Sequence, residues 1–283
     1  MDPVGAAAPR VISRVGRDGC LHLRVERRGA VSVVARSRST LPLQVLAPVA
    51  LDDPGAVVSI LNPTGGLVGG DRLDVTIDVG PGAHACLTTP SATKVYRTTG
   101  AMAEQHVSIV VDAGAMCEWI PDHTIPFPGS RLRQTLDARL AEDARLIVVD
   151  AFAAGRVARG ETWRFDHLES ALSLRDARGW LFHDRFVLRG GGDYDGLVVT
   201  DRQPYFAAVV VVADGPAAEF ARAATMAGEA AGATVAAAPL PRRGAIVRVL
   251  AADAPAFVAA LEAVWTVARL RLLDAPALAL RKP

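Results

Sequence analysis

The stretch LNPTGGLVGGDRLDVTIDVGPGAHACLTTPSATKVYR, residues 61–97, decides how the rest of the chain is read. It opens on two glycine pairs, Gly65-Gly66 and Gly69-Gly70, which Asp71 closes. From Leu73 to Val79 the residues then alternate without a fault. Leu73, Val75, Ile77 and Val79 face one way, and Asp74, Thr76 and Asp78 face the other. A period of two belongs to a half-buried strand. A glycine loop that cradles phosphate needs a helix after it, whose N-terminal amides and dipole hold the anion. Here a strand follows, and the residue after the last glycine is a carboxylate that repels phosphate. The glycines instead allow close backbone approach or positive φ.

Outward from this stretch the pattern recurs. LDVTIDVGPGAHACLTT, HVSIVVDAGAMCEWI, RQTLDARLAEDARLIVV and SALSLRDARGWLFHD share one plan: an alternating strand, a tight turn, then a more apolar strand. With Ala83, Ala115, Ala144 and Gly179 as equivalent turn positions, the period is about thirty residues, in the range of stacked supersecondary units. Each unit reads as a hairpin. A single hairpin cannot bury its apolar face, whereas stacked ones share a continuous core. The expectation is a mainly β chain: a β-helix-like stack of hairpins with two C-terminal helices packed on it. A two-sheet sandwich is the alternative, because repeats alone do not fix how successive units cross.

The flanks fit one domain over residues 1–283, with the stacked body over 11–200 and strands plus two helices over 203–273. Residues 1–10 read as a loose lead-in. Residues 20–26 and 30–36 form a hairpin, 40–54 hold three prolines and read as loop or edge, and 57–61 form a strand. Further on, 203–213 and 243–250 are strands, and Pro216 starts a helix that runs to about Ala230. Asp253 caps a final helix whose apolar side is Phe257, Leu261, Val264, Ala268 and Leu272, with Glu262, Thr266 and Arg269 opposite.

With 51% apolar residues the chain can build a substantial core. Its formal charge of +1, from 31 basic and 30 acidic side chains, gives no long-range field for nucleic acid or an anionic membrane. No apolar run is long enough to span a bilayer, and the N-terminus lacks the order of a signal peptide, so a cytoplasmic location is expected. Cys20, Cys86 and Cys117 form no CxxC pair and lie in or beside apolar strand patterns, so buried inert thiols are expected rather than disulfides or metal ligands.

The six histidines fall singly, and neither GxSxG nor HExxH occurs. A tight transition-metal site calls for clustered imidazole or thiolate, and that pattern does not offer one. What recurs is charge at the ends of apolar strands: Asp71, Glu118, Asp150, Arg156, Glu161, Asp184 and Arg185. Such charges are rarely buried unless paired. Pairs such as Arg185 with Asp184, or Arg156 with Glu161, are one outcome. The other is a set of carboxylates along the inside of the stack, a polar path on which a hydrated divalent cation moves by weak oxygen contacts. Residues 121–129 hold Pro121, Pro126 and Pro128, a stiffened segment suited either to a partner or to connecting strands. A different class of function, a β-helix enzyme on polysaccharide with Asp71 and Asp150 as acid and base, calls for an aromatic groove that 5% aromatic residues scarcely supply.

The motifs NPTGGLVGGD, LTTPSATKVYR, EWIPDHTIPFPG and GRVARGE, in that order, resemble those of the urease accessory protein UreD family, also called UreH. The resemblance runs roughly from Gly16 to Leu273. It implies a non-enzymatic protein with a β-helical body and two helices. It implies partners as well: the urease apoprotein on one side and a UreF–UreG complex on the other, with Ni(II) and carbon dioxide delivered to the di-nickel site. No cofactor would be tightly bound; Ni(II) would be in transit. Asp71, Lys94, Glu118, Asp150, Arg156 and Glu161 match family motif positions and are carried over as candidates for the internal path or partner surfaces. The family's usual aromatic residue near the C-terminus is missing here, where the chain reads PALALRKP.

Overall fold

The computed structural model describes residues 17–46, 55–196 and 200–280. The readings of residues 1–10, and of 47–54 within the proline-rich stretch, lie outside the described residues. The chain starts with a hairpin, β1 (Asp18–Arg28) and β2 (Val31–Ser39), followed by β3 (Gln44–Val45) and β4 (Ala56–Leu61). Coils of the body come next: β5 (Arg72–Val79), β6 (His84–Thr88) and β7 (Thr93–Val95), then β8 (Ala103–Val111), β9 (Met116–Ile120) and β10 (Thr124–Pro126). The third comprises β11 (Arg131–Leu140), β12 (Arg145–Ala153) and the short pair β13 (Gly155–Arg156) and β14 (Glu161–Thr162). β15 (His167–Asp176) and β16 (Gly179–Arg189) end the stack. After them come β17 (Tyr205–Val212), α1 (Ala217–Ala230), β18 (Thr234–Pro239), β19 (Ala245–Ala251) and α2 (Ala254–Leu273).

The alternation noted at Leu73–Val79 sets the register of one whole sheet. Val75, Ile77 and Val79 lie level with Leu21, Leu23 and Val25 on β1 and with Val107, Ile109 and Val111 on β8. All are buried, and a slip of one residue on any strand would turn its apolar row out to solvent. The outer sheet runs β16-β15-β11-β8-β5-β1-β2, and the facing sheet runs β18-β19-β17-β12-β9-β6-β4-β3. The result is a β-solenoid of about 4 turns with two C-terminal helices, the architecture that the repeat predicted.

Pairing inside the first three units differs from the expectation. β5 pairs in parallel with β1 and β8, while β6 pairs in parallel with β4 and β9. The turn between them is thus an arch that carries the chain from one sheet to the other, not the loop of a hairpin. The reason lies in burial. β6 and β9 are buried at every position, on both faces. A strand covered on both sides belongs in the middle layer of three, and parallel strands are the ones so covered. The fourth unit, β15 with β16, is a true antiparallel hairpin, as is β1 with β2.

The arches stack at one corner. Gly82 takes φ 63° and Gly114 φ 64°, and the Gly82 amide donates to Ala113 O at 2.9 Å. Ala83, Ala115 and Ala144, which follow these turns, are all buried, where the corner leaves little room. Two cores result. One fills the space between the sheets and includes Leu23, Ile77, Ile109, Leu146 and Phe152; the other lies between the second sheet and the helices and includes Ile147, Val209, Phe257 and Val264. Among the described residues no helix is long and apolar enough to cross a membrane.

Helix α2 buries the predicted face, with Phe257, Val264 and Ala268 in the core and Leu261 and Leu272 partly buried against it, and differs from the expectation at Arg269. Asp253 caps it as expected, accepting from the Ala256 amide at 2.9 Å. Its buried residues are Phe257, Ala260, Val264, Trp265, Ala268 and Arg269; Arg269 points inward and Leu270 is half exposed. Cys86 and Cys117 are buried as predicted, but Cys20 is exposed, because it shares the outward phase of β1 with His22 and Arg24.

Candidate functional site

The interior polar row comes from residues placed where the strand pattern expects apolar ones. β8, β11 and β15 point Gln105, Gln134 and Ser170 inward, and register sets Gln105 level with Gln134 and Gln134 level with Ser170. From the facing sheet Asp150 on β12 meets this row. Gln134 donates from Nε2 to Asp150 Oδ1 at 2.7 Å, and Ser170 donates from Oγ to Asp150 Oδ2 at 2.8 Å. Gln134 Nε2 also reaches Ser170 Oγ at 3.2 Å. Burial, reinforced by Asp184 and opposed by these bonds and by Arg248, pushes the Asp150 carboxyl up to about 6.

Two cavities meet at this point. One, of about 140 Å³, has Leu67, Lys94, Gln105, Trp119 and Asp122 among its walls. The other, of about 330 Å³, is lined by Phe152, Phe186, Phe206 and Leu188, with Asp184 and Arg248 as its charged wall. Asp150 and Ser170 line both. Arg248 Nη2 donates to Asp184 Oδ2 at 2.6 Å, tying β19 to β16 beside the second cavity.

The other sequence candidates lie elsewhere. Asp71 is buried at the glycine loop, where Oδ2 accepts from the Val68 amide at 2.8 Å; Arg17 lies 3.9 Å away. Burial raises its pKa. The glycines beside it do what was expected. A Cβ on Gly66 would lie 2.3 Å from Lys94 O, and Gly65 and Gly70 take φ 80° and 85°. Lys94 is exposed at the first cavity. Arg156 and Glu161 pair across β13 and β14 at 2.5 Å, with the Arg156 guanidinium 4.6 Å over the Phe127 ring.

Arg185 does not pair with Asp184. Because neighbours along a strand face opposite ways, Asp184 meets Arg248 while Arg185 reaches Glu169 at 2.8 Å on the outer face. Glu169, which the sequence reading did not single out, also accepts from Arg133 at 3.1 Å and lies 3.2 Å from His167. Burial would raise its pKa, but the bonds from Arg185, Arg133 and His167 outweigh burial and hold it at about 2.

Glu118 faces the helices and not the space between the sheets. It is fully buried; Oε1 lies 2.6 Å from His84 Nε2 and accepts from Arg269 Nη1 at 2.6 Å, while Oε2 accepts from Trp265 Nε1 at 2.5 Å. Of the sequence-predicted carboxylates, Asp150 and Asp184 line the second cavity, whereas Asp71, Glu118 and Glu161 line neither. The row between the sheets therefore consists of amides and a hydroxyl around Asp150, with Asp122 on the wall of the first cavity and Asp184 on that of the second. Gln105, Gln134 and Ser170 were missed, although each occupies the same inward slot of its repeat, two residues before Val107, Leu136 and Leu172. Aligning the repeats by their inward phase would have shown the row.

Chemically, such a row offers weak oxygen contacts. Among the described residues no three His, Cys, Asp or Glu side chains are grouped to hold a metal ion. Asp71 lines neither of the two cavities that Asp150 lines, so the acid and base of the polysaccharide reading are not brought together there.

Comparison with known proteins agrees with the motifs. The family model described as UreD urease accessory protein matches residues 17–283. A protein named urease accessory protein UreD from Haloarcula marismortui is 35% identical over 286 residues, covering 98% of this chain and 94% of that protein. The namesake from an Anaeromyxobacter species is 37% identical over 266 residues, 91% of this chain and 87% of that protein. A third, from Delftia acidovorans, is 41% identical over 150 residues, 52% of this chain and 49% of its own length. With the match running through the solenoid, the glycine loop and both helices, the chain belongs to the UreD family of urease accessory proteins.

Proposed function

We propose that this chain is a non-catalytic scaffold of urease maturation, acting in the cytoplasm, which holds the urease apoprotein and a UreF–UreG complex and passes Ni(II) through its β body. Family membership supports the place in urease maturation. The observation that carries the transit reading is the interior row Gln105, Gln134, Ser170 and Asp150, with a cavity on either side of Asp150. A cation that keeps its water presents hydrogen-bond donors, which amide oxygens, a hydroxyl and a carboxylate accept without stripping the shell. Weak, repeated contacts let an ion leave as readily as it enters, as conduction requires. The solenoid supplies a stiff frame on which other proteins can seat with little loss of entropy.

The test is a clean deletion strain grown at ordinary nickel. Urease from it should be assembled but poor in nickel, and the tagged chain should co-purify with UreF, UreG and the urease apoprotein. Fully metallated urease in the deletion strain would remove the proposal.

A further inference from the structure

The conduit reading leaves open how passage between the two cavities is controlled. Asp150 and Ser170 are the side chains common to both linings, so they stand in the partition between them. At that partition both Asp150 oxygens are engaged from the opposite sheet: Oδ1 by Gln134 on β11, Oδ2 by Ser170 on β15. Gln134 and Ser170 also touch each other, at 3.2 Å, which closes a three-membered ring of contacts across the interior. Each side chain is carried on a strand hydrogen-bonded to neighbours on both sides, so the ring is held by rigid elements rather than loops.

We infer that Asp150, Gln134 and Ser170 form a closure across the solenoid interior that a travelling cation opens by taking over the Asp150 oxygens. The inference rests on the conduit reading and adds where passage is limited. The donors to Asp150 are a neutral amide and a neutral hydroxyl, and neither competes as a charge. A cation's charge and bound water replace them, and once it has passed they return. Gln134 and Ser170 are then positioning residues, and Asp150 is the group that meets the ion.

The experiment uses the full chain in its complex with UreF, UreG and apo-urease, activated at limiting nickel. Asp150→Asn, close to isosteric, is expected to slow urease activation. Ser170→Ala removes one arm of the closure and is expected to speed activation by about tenfold, the effect of one hydrogen bond to a charged group. Ser170→Thr keeps the hydroxyl and should return the native rate, which separates the closure from packing. Gln134→Leu removes the other arm and should also speed activation, so the inference stays testable if Ser170→Ala disturbs folding. Melting temperature and co-elution report folding and assembly. A slowed Asp150→Asn with unchanged rates in Ser170→Ala and Gln134→Leu would overturn the closure while leaving the conduit standing. An unchanged rate in an assembled Asp150→Asn complex would overturn both.

Discussion

Replacing Arg269 by Met tests what holds α2 to the solenoid. Arg269 and Glu118 are both 0% exposed and meet at 2.6 Å, between the second sheet and the helix. Two unit charges about 4 Å apart interact by roughly 4 kcal/mol at an effective dielectric near 20. Removing one partner of a buried pair costs about 3–5 kcal/mol, because the other is left as an uncompensated charge. In Arg269→Met, Glu118 keeps its bond from Trp265 and its contact with His84, which places the loss near the low end, about 3 kcal/mol. In a chain of this size each kcal/mol moves the melting temperature by about 2–4 °C, so a fall of roughly 6–12 °C is expected. Thermal unfolding followed by circular dichroism measures it. Glu118→Leu should cost at least as much, since the buried Arg269 charge loses its carboxylate while keeping its bond to Pro276 O. The double variant Glu118→Leu/Arg269→Met removes both charges and should be more stable than either single one, a coupling of about 2 kcal/mol or more. A melting temperature within 2 °C of native for Arg269→Met, or losses that simply add in the double variant, would refute a buried anchor under α2.

Three further outcomes follow from particular residues. The Asp150 carboxyl is raised from 3.8 to about 6 on folding, so its contribution is complete below pH 4 and is lost as pH rises through 6; native protein should lose about 2 kcal/mol against Asp150→Asn between pH 4 and 7, and parallel melting curves across that range would contradict it. Glu169, held at about 2, has the opposite sign: its stabilisation is present above about pH 4.5 and fades as pH falls through 2. With Arg133 and Arg185 side chains 44% and 55% exposed, solvent screening limits the loss in Glu169→Gln to about 1 kcal/mol at pH 7, and urea titrations at pH 7 and pH 2 should show that loss only at the higher pH. Gly66→Ala would drive a Cβ to 2.3 Å from Lys94 O and should cost about 3 kcal/mol or more, whereas Gly82→Ala meets nothing within 4 Å and bears only the roughly 1–2 kcal/mol of its φ of 63°; urea denaturation that ranks the two in reverse would show that the glycine loop yields.

The stacked plan was legible because strand alternation and a turn recur at a nearly constant interval, and both are local properties. The family motifs were legible for the same reason. Pairing partners were not. Whether β5 and β6 close a hairpin or arch between sheets depends on which strands lie beside them, and the hint, burial of β6 on both faces, needs the helices as its cover. Seven of the eight candidates stood out as charged residues among apolar strands and Lys94 came from the family motif, but the places they take in the fold were set by side-chain phase and by distant partners. Asp184 and Arg185 are adjacent in sequence, yet they bind Arg248 and Glu169 on opposite faces of one sheet.

Sequence by itself thus determined the period of the coils, the strand faces, the glycine loop and the family, since each follows from residue type at fixed local spacing. Only the tertiary structure decided that Glu118 anchors α2 through Arg269, 151 residues away, and that Asp150 meets Gln134 and Ser170 between the sheets. The physical reason is that a buried charge is stable only where donors converge on it, and convergence belongs to strands and helices brought together from separate parts of the chain.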